Sequence, residues 1–166
     1  IGHEMLHGYD DQGSQFDAKG NNANWWTDAD MKKFKERTGK LVSQFNDYVS
    51  IENNHVNGEL TLGENIADLG GLTVAYDALQ RDLANKKVEP IDGLTQDQRF
   101  FMNWATVWRR NFTPDELKVR LNTDPHSPGR WRVNGPFSNM PEFAQAWGAK
   151  DGDAMVRPAA VRAKIW

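Results

Sequence analysis

The chain contains no cysteine among its 166 residues. This absence excludes a disulfide framework and any thiolate metal site, so only His, Asp and Glu remain as candidate metal ligands. An excess of charge is also missing: 20 basic and 23 acidic residues give a net charge of −3, and no basic block occurs. We therefore expect no nucleic-acid partner.

Long apolar segments are missing as well. The apolar runs are far shorter than the roughly 20 residues that a membrane-spanning helix needs, and no charged-then-apolar leader opens the sequence. We expect no membrane contact from this segment. Residues 1–7 resemble the middle of a helix, because no capping residue precedes them. We therefore expect residues 1–166 to be a single domain that forms the C-terminal portion of a larger protein.

Hydrophobic periodicity and capping residues predict a mainly α-helical fold with little strand. The predicted helices cover about 20 residues after Thr27, then 62–84, 96–110, 114–121 and 141–147. Apolar side chains surround the 96–110 helix on nearly every side, so we expect it to be central. The one alternation that favours a strand runs from Arg130 to Val133.

The strongest chemical signal is His3-Glu4-x-x-His7. Residues four apart share one face of a helix, so both imidazoles can reach a single Zn²⁺ at about 2.0–2.1 Å while Glu4 lies beside the metal. This pattern is typical of zinc metallopeptidases. A surface helix can also carry the same three residues without binding metal.

A catalytic zinc usually has three protein ligands, so the sequence must supply one more. The metzincin spacing would require Gly at position 10 and His at position 13, where Asp10 and Gly13 stand. A glutamate at the short spacing of thermolysin or the aminopeptidases would fall at Trp26 or Thr27. Both spacings are therefore disfavoured.

Glu64 and Asp68 lie four residues apart on one face of the predicted 62–84 helix. Glu64 can be the third ligand. Asp68 can then accept the free ring N–H of a ligand histidine, most simply His3, and fix its tautomer. The alternative is that both carboxylates form a solvated helix edge, which conflicts with their apolar and glycine-rich neighbours.

A series of motifs in order resembles the neprilysin (M13) family of zinc metallopeptidases over essentially the whole chain. The motifs are Ile1-Gly2-His3-Glu4-x-x-His7-Gly8, Trp25-Trp26-Thr27, His55-Val56-Asn57-Gly58, residues 61–68, Gly70-Gly71, Asn103-Trp104-Ala105, Val107-Trp108, Asp124-x-His126-Ser127-Pro128-Gly129, Arg132 and Trp166. The resemblance implies the helical part of a thermolysin-like catalytic lobe, without the family's upstream half and lid domain.

The resemblance also implies a metal site and its chemistry. His3, His7 and Glu64 would bind one Zn²⁺ per chain. Glu4 would be the general base. Asp68 would be the hydrogen-bond partner of a ligand histidine and thereby support catalysis.

Further roles follow from the resemblance for five residues outside the metal ligands. His126 would hydrogen-bond the developing oxyanion, with Asp124 orienting it. Arg132 would hold a substrate carbonyl, and Val107 and Trp108 would line the pocket for the side chain after the scissile bond. From the residues alone, His126 can equally be a structural histidine, and Val107 and Trp108 are typical core residues.

Two positions depart from the family pattern. Animal members carry cysteines near the third helix and before the terminal tryptophan, where Arg109 and Ala163 stand. This departure suggests a bacterial homologue without disulfides. We expect it at the cell surface, in a periplasm or secreted, with a cytoplasmic location as the alternative.

These features together predict a zinc-dependent endopeptidase that cleaves short peptides on the amino side of hydrophobic residues. Its expected partners are oligopeptide substrates and the remainder of the parent chain. Two alternatives stay open: an exopeptidase on the same zinc core, and a fragment that binds zinc and peptide without turnover.

Overall fold

The computed structural model describes residues 1–166 as seven α-helices and one short antiparallel hairpin. The elements are α1 Gly2–Leu6, α2 Asp28–Asn46, β1 Val49–Ile51, β2 Asn54–His55, α3 Leu62–Leu83, α4 Gln96–Val107, α5 Pro114–Thr123, α6 Gly129–Asn139 and α7 Pro141–Trp147. The prediction of a mainly helical fold with little strand is confirmed. None of these helices combines the length and the apolar character that crossing a bilayer requires.

Several helices begin and end where local chemistry requires. Thr27, Thr95 and Thr113 each accept a hydrogen bond from the backbone N–H three residues later, and so cap α2, α4 and α5. Gly148 ends α7 with a φ of 65°, which a residue without Cβ adopts without strain. These local signals explain why the sequence predicts the starts of these helices well.

The hydrophobic core lies between α2, α3, α4 and α6. It contains Phe34, Leu41 and Phe45 from α2, Ile66, Leu69 and Leu72 from α3, Phe101 from α4, and Trp131 and Phe137 from α6. The first half of α3 is buried, with nine buried residues between Leu62 and Leu72, whereas its second half reaches the surface. The core therefore fixes the part of α3 that carries Glu64 and Asp68.

The predicted strand from Arg130 to Val133 is wrong, because these residues lie within α6. Eight of the eleven residues of α6 are buried, so the helix shows no amphipathic period. Gly135 allows the Phe45 ring to approach: an added Cβ would lie 2.5 Å from the Cζ of Phe45. Burial on several sides is typical of central helices, and it conceals the helical pattern in the sequence.

The expectation that the 96–110 helix is central is also wrong. α4 ends at Val107, and Phe101 is its single buried residue. Val107 is 57% exposed, and Trp104 is only partly buried. Apart from Phe101, the aromatic residues of α4 thus lie at the edge of the core.

The short helix α1 has no buried residue and depends on α3 for its position. A Cβ added to Gly71 would lie 2.5 Å from the backbone N and 2.8 Å from the Cα of His3. A Cβ added to Gly2 would lie 2.8 Å from the carbonyl oxygen of Gly71. Two glycines therefore let the backbones touch, which places His3 directly over the carboxylates of α3.

Candidate metal centre

Three side chains from α1, the turn after it and α3 converge at one point. The Nε2 atoms of His3 and His7 lie 3.1 Å apart. His3 Nε2 is 3.2 Å from Oε2 of Glu64, and His7 Nε2 is 3.4 Å from Oε1 of the same carboxylate. All the donor atoms lie within 4.8 Å of one another.

This geometry fits a tetrahedral zinc ion. Two ligands that each lie about 2.1 Å from zinc in tetrahedral geometry are roughly 3.4 Å apart. The three measured separations of 3.1, 3.2 and 3.4 Å are close to that value. Two nitrogens and one carboxylate also form the donor set of a catalytic site, which leaves the fourth position open.

Each candidate ligand histidine is oriented by a carboxylate. The Nδ1–H of His3 donates to Oδ1 of Asp68 at 2.8 Å, and the Nδ1–H of His7 donates to Oδ2 of Asp10 at 2.7 Å. Both rings therefore present Nε2 to the centre. Sequence reasoning missed Asp10, although its position three residues after His7 is the signal that could have found it.

Asp10 is itself fixed by the backbone. Its Oδ1 accepts hydrogen bonds from the backbone N–H groups of Gln12 and Gly13 at 2.8 and 2.7 Å. The side chain is nearly fully buried. This local turn leaves Oδ2 free to hold His7.

Arg132 lies behind the centre, where it holds the carboxylates of Glu64 and Asp68. Its Nε donates to Oδ2 of Asp68 at 2.7 Å, and its Nη2 donates to Oδ1 of Asp68 at 2.8 Å and to Oε2 of Glu64 at 3.1 Å. Its guanidinium lies 3.9 Å from the centroid of the Trp108 ring. A buried cation thus compensates two acidic groups that burial alone would destabilise.

The charges of the cluster shift two pKa values. Hydrogen bonds to Asp68 and then to Glu64 raise the pKa of His3 to about 9. For Glu64, burial acts to raise the pKa, but the hydrogen bond from His3 and the charges of His126 and Arg132 lower it on balance. In the metal-free site a proton on His3 therefore stabilises the carboxylates, and metal binding has to release it.

His126 approaches the same carboxylate from the loop after α5. Its Nε2 lies 3.3 Å from Oε1 of Glu64. Its Nδ1–H donates to Oδ1 of Asp124 at 2.7 Å, so Asp124 lies where the sequence places an orienting partner. The adjacent Ser127 donates to the buried side chain of Asn65 at 2.8 Å, which ties this loop to α3.

The remaining predicted site residues differ in exposure and in whether they line a cavity. Glu4 lies on the exposed side of α1, between the two histidines in sequence. Trp108, His126 and Arg132 share the wall of a cavity of about 450 Å³. Val107 does not line this cavity and is largely exposed.

A helical lobe in which two histidines of one helical segment meet a carboxylate of another has the ligand arrangement of a zinc metallopeptidase. The chain belongs to peptidase family M13, whose sequence model matches residues 1–162. The resemblance to the neprilysin family is thereby confirmed.

Known proteins of the family resemble the chain in sequence and fold. The chain is 42% identical over 158 residues to the endothelin-converting enzyme homolog of Locusta migratoria. This alignment covers 93% of the chain and 22% of that relative. It is 41% identical over 162 residues to neprilysin-1 of Caenorhabditis elegans, and this alignment covers 93% of the chain and 21% of the relative.

Solved structures of the family have the same fold. The zinc metalloprotease Zmp1 of Mycobacterium tuberculosis, solved with an inhibitor, superposes with a TM-score of 0.96 at 42% identity, over 99% of the chain and 26% of Zmp1. PepO of Lactobacillus rhamnosis superposes with a TM-score of 0.85 at 35% identity, over 99% of the chain and 25% of PepO. The chain thus spans about a fifth of the length of the curated relatives it matches.

Proposed function

We propose that the chain carries the zinc site of an endopeptidase that cleaves short peptides on the amino side of hydrophobic residues. The observation that carries this proposal is the convergence of His3, His7 and Glu64 at the separations of a tetrahedral site. Membership of peptidase family M13 supports the zinc-dependent hydrolysis of peptide bonds.

The chemistry divides between the metal and the chain's own residues. Zinc, when bound, supplies Lewis acidity that polarises the scissile carbonyl and acidifies the attacking water. Glu4, which follows His3 on α1, accepts the proton of the water. It then delivers that proton to the leaving amine, as a general base that becomes a general acid.

His126 and Arg132 act on the substrate. In its doubly protonated form, His126 donates Nδ1–H to Asp124 and directs Nε2–H towards the centre, where it donates a hydrogen bond to the developing oxyanion. Arg132 orients a backbone carbonyl while its other donors stay on Asp68. The cavity beside Trp108 accepts the hydrophobic side chain after the scissile bond, whereas Val107 is not part of its wall.

The test pairs two variants of the purified protein. We expect Glu4→Gln to retain one zinc by elemental analysis and to lose cleavage of fluorogenic peptides by about 10²–10⁴-fold, because it removes the proton acceptor. Glu64→Ala should lose zinc as well. A Glu4→Gln variant that cleaves at the wild-type rate would contradict the mechanism, and wild-type protein that binds zinc and peptide without turnover would establish a binding fragment.

The peptide set separates endopeptidase from exopeptidase activity. Peptides blocked at both termini, with Leu or Phe after the expected scissile bond, should be cleaved as well as unblocked ones. Matched peptides with Asp or Lys at that position should be poor substrates. Failure on every blocked peptide would favour the exopeptidase alternative.

We also propose that the remainder of a parent chain packs beside α1. Met5, Tyr9, Trp25 and Trp166 are more than two-fifths exposed and line a cavity of about 550 Å³, an apolar surface that a covering segment would bury. Co-expression with the rest of the catalytic domain should yield a complex with a higher unfolding temperature. Two polypeptides that purify separately would contradict this proposal.

We also propose that the enzyme acts outside a bacterial cytoplasm. Cell fractionation tests this location against a cytoplasmic one.

A further inference from the structure

Acidic and basic side chains alternate from α5 into the loop after it, and the last of them contacts His126. Glu116 and Arg120 are four residues apart, and Arg120 and Asp124 are four residues apart. Arg120 Nε donates to Oε1 of Glu116 at 2.9 Å, and its Nη1 donates to Oδ2 of Asp124 at 2.7 Å. Its guanidinium also lies 4.5 Å from the centroid of the Phe112 ring. Three separate contacts therefore fix this arginine.

Asp124 has no free oxygen for other partners. Its Oδ1 accepts both the backbone N–H and the ring Nδ1–H of His126, at 2.9 and 2.7 Å, and its Oδ2 accepts from Arg120. Hydrogen bonds on both oxygens fix the plane of a carboxylate as well as its position. The direction of the His126 ring therefore depends on Arg120 through Asp124.

This dependence matters because His126 is not held by burial. Its side chain is 49% exposed, and it lies in the loop between α5 and α6. A hydrogen-bond donor stabilises a transition state best when it is already oriented, so freedom of the ring would reduce its effect. The orientation of the His126 ring is therefore set by its polar contacts and not by apolar packing.

We infer that Arg120 is a positioning residue for the reaction: it locks Asp124 so that Nε2 of His126 stays directed at the substrate oxyanion. The inference rests on the proposed function. It gives α5 a role in catalysis, because a side chain of this helix helps to orient His126. Arg120 itself does not act on substrate in this scheme, although it borders the same cavity.

The first experiment measures steady-state kinetics of zinc-loaded Arg120→Gln. We expect kcat to fall roughly tenfold with KM changed less than about twofold, because the lost interaction operates in the transition state. Arg120→Lys should recover part of the loss, since it keeps the charge but not the fork that reaches both carboxylates. The matched control is Arg81→Gln, which removes an exposed i,i+4 pair with Asp77 on α3 and should leave kcat unchanged.

A double-mutant cycle tests whether Arg120 acts through Asp124. Adding Arg120→Gln to Asp124→Asn should cost nothing further, whereas an independent role would repeat the tenfold loss. In ¹⁵N-labelled protein, the ring Nδ1–H of His126 should give a downfield signal that Arg120→Gln removes by faster exchange. This measurement does not depend on activity.

The outcomes are separable from those of the proposed function. Unchanged kcat in Arg120→Gln, a rise in KM alone, a full repeat of the loss in the Asp124→Asn background, or a retained His126 signal would each overturn the inference. Full activity of Glu4→Gln would overturn the proposed function itself. Thermal unfolding of each variant checks folding, and a variant that unfolds early is replaced by Arg120→Lys, whose partial loss of kcat decides the same question.

Discussion

The two helices at the candidate metal centre, α1 and α3, differ strongly in how they are held. α3 has 22 residues, nine of them buried, and its first half crosses the core. α1 has five residues and buries none. A helix this short is not stable by itself, because helix nucleation costs more than so few hydrogen bonds return. The position of His3 and His7 is therefore determined by α3 and by polar contacts, not by α1.

The difference teaches that the site has a rigid half and a dependent half. Glu64 and Asp68 belong to the core, whereas His3 and His7 reach them because Gly71 lets the backbones touch and because two carboxylates hold the rings. Substitutions that separate α1 from α3 should therefore cost more metal affinity than equal changes elsewhere.

The largest effect on zinc binding is expected for Gly71→Ala. The new Cβ would lie 2.5 Å from the backbone N of His3, and a backbone atom cannot rotate away as a side chain can. We expect loss of stoichiometric zinc by elemental analysis and a decrease of about 2 kcal/mol in the free energy of unfolding in urea. Gly39→Ala in α2 is the matched control, because its Cβ meets nothing within 4 Å and should stabilise the helix by about 0.5–1 kcal/mol. Equal zinc content in both variants would show that α1 does not need the close approach.

Asp68→Ala should have the largest effect on stability rather than on zinc binding. It removes the partner of His3 and leaves Arg132 buried with only Glu64 to compensate it. We expect the free energy of unfolding to fall by about 3 kcal/mol. Asp77→Ala lies on the exposed half of the same helix and should change stability by less than about 1 kcal/mol. A similar loss in the two variants, measured by urea denaturation, would be evidence against a special role for the buried ion pair.

Asp10→Asn should have the smallest effect of the three and should separate metal affinity from stability. Asn keeps an Oδ1 that can accept from the N–H groups of Gln12 and Gly13, but it loses the charge that faces Nδ1 of His7. We expect zinc affinity to fall about 10–100-fold in competition with a chelator. The free energy of unfolding should change by less than about 1 kcal/mol. An unaltered zinc affinity would mean that His7 needs no orienting carboxylate.

The sequence predicted the helices whose starts are marked by a local capping residue. Thr27, Thr95 and Thr113 are capping residues whose effect is local, so α2, α4 and α5 could be located from sequence alone. α6 could not, because its burial depends on neighbours such as Phe45, which is distant in sequence. The hairpin of β1 and β2 was also missed, since strands of three and two residues carry almost no periodicity.

The candidate site shows the same division between local and distant contacts. His3, Glu4 and His7 form one helical motif, and Glu64 and Asp68 form another, so both motifs were visible as spacings. Arg132 was expected to hold substrate, and its contacts with Glu64 and Asp68 depend on how α6 packs against α3. No spacing in the sequence reveals a contact between residues that far apart.

The separation in sequence between His7 and Glu64 has a consequence for the unfolded chain. A metal held by both residues would act as a cross-link that closes a loop of roughly 60 residues, in a protein with no cysteine to form a covalent one. If the ion stayed bound to both residues on unfolding, the chain-entropy relation used for disulfides would make the lost entropy of the unfolded state worth about 4 kcal/mol at 25 °C. An ion that is released on unfolding stabilises the protein instead through its binding to the folded state. The ion that serves the proposed reaction would then also stabilise the folded state. A chelator would both inactivate and destabilise the protein.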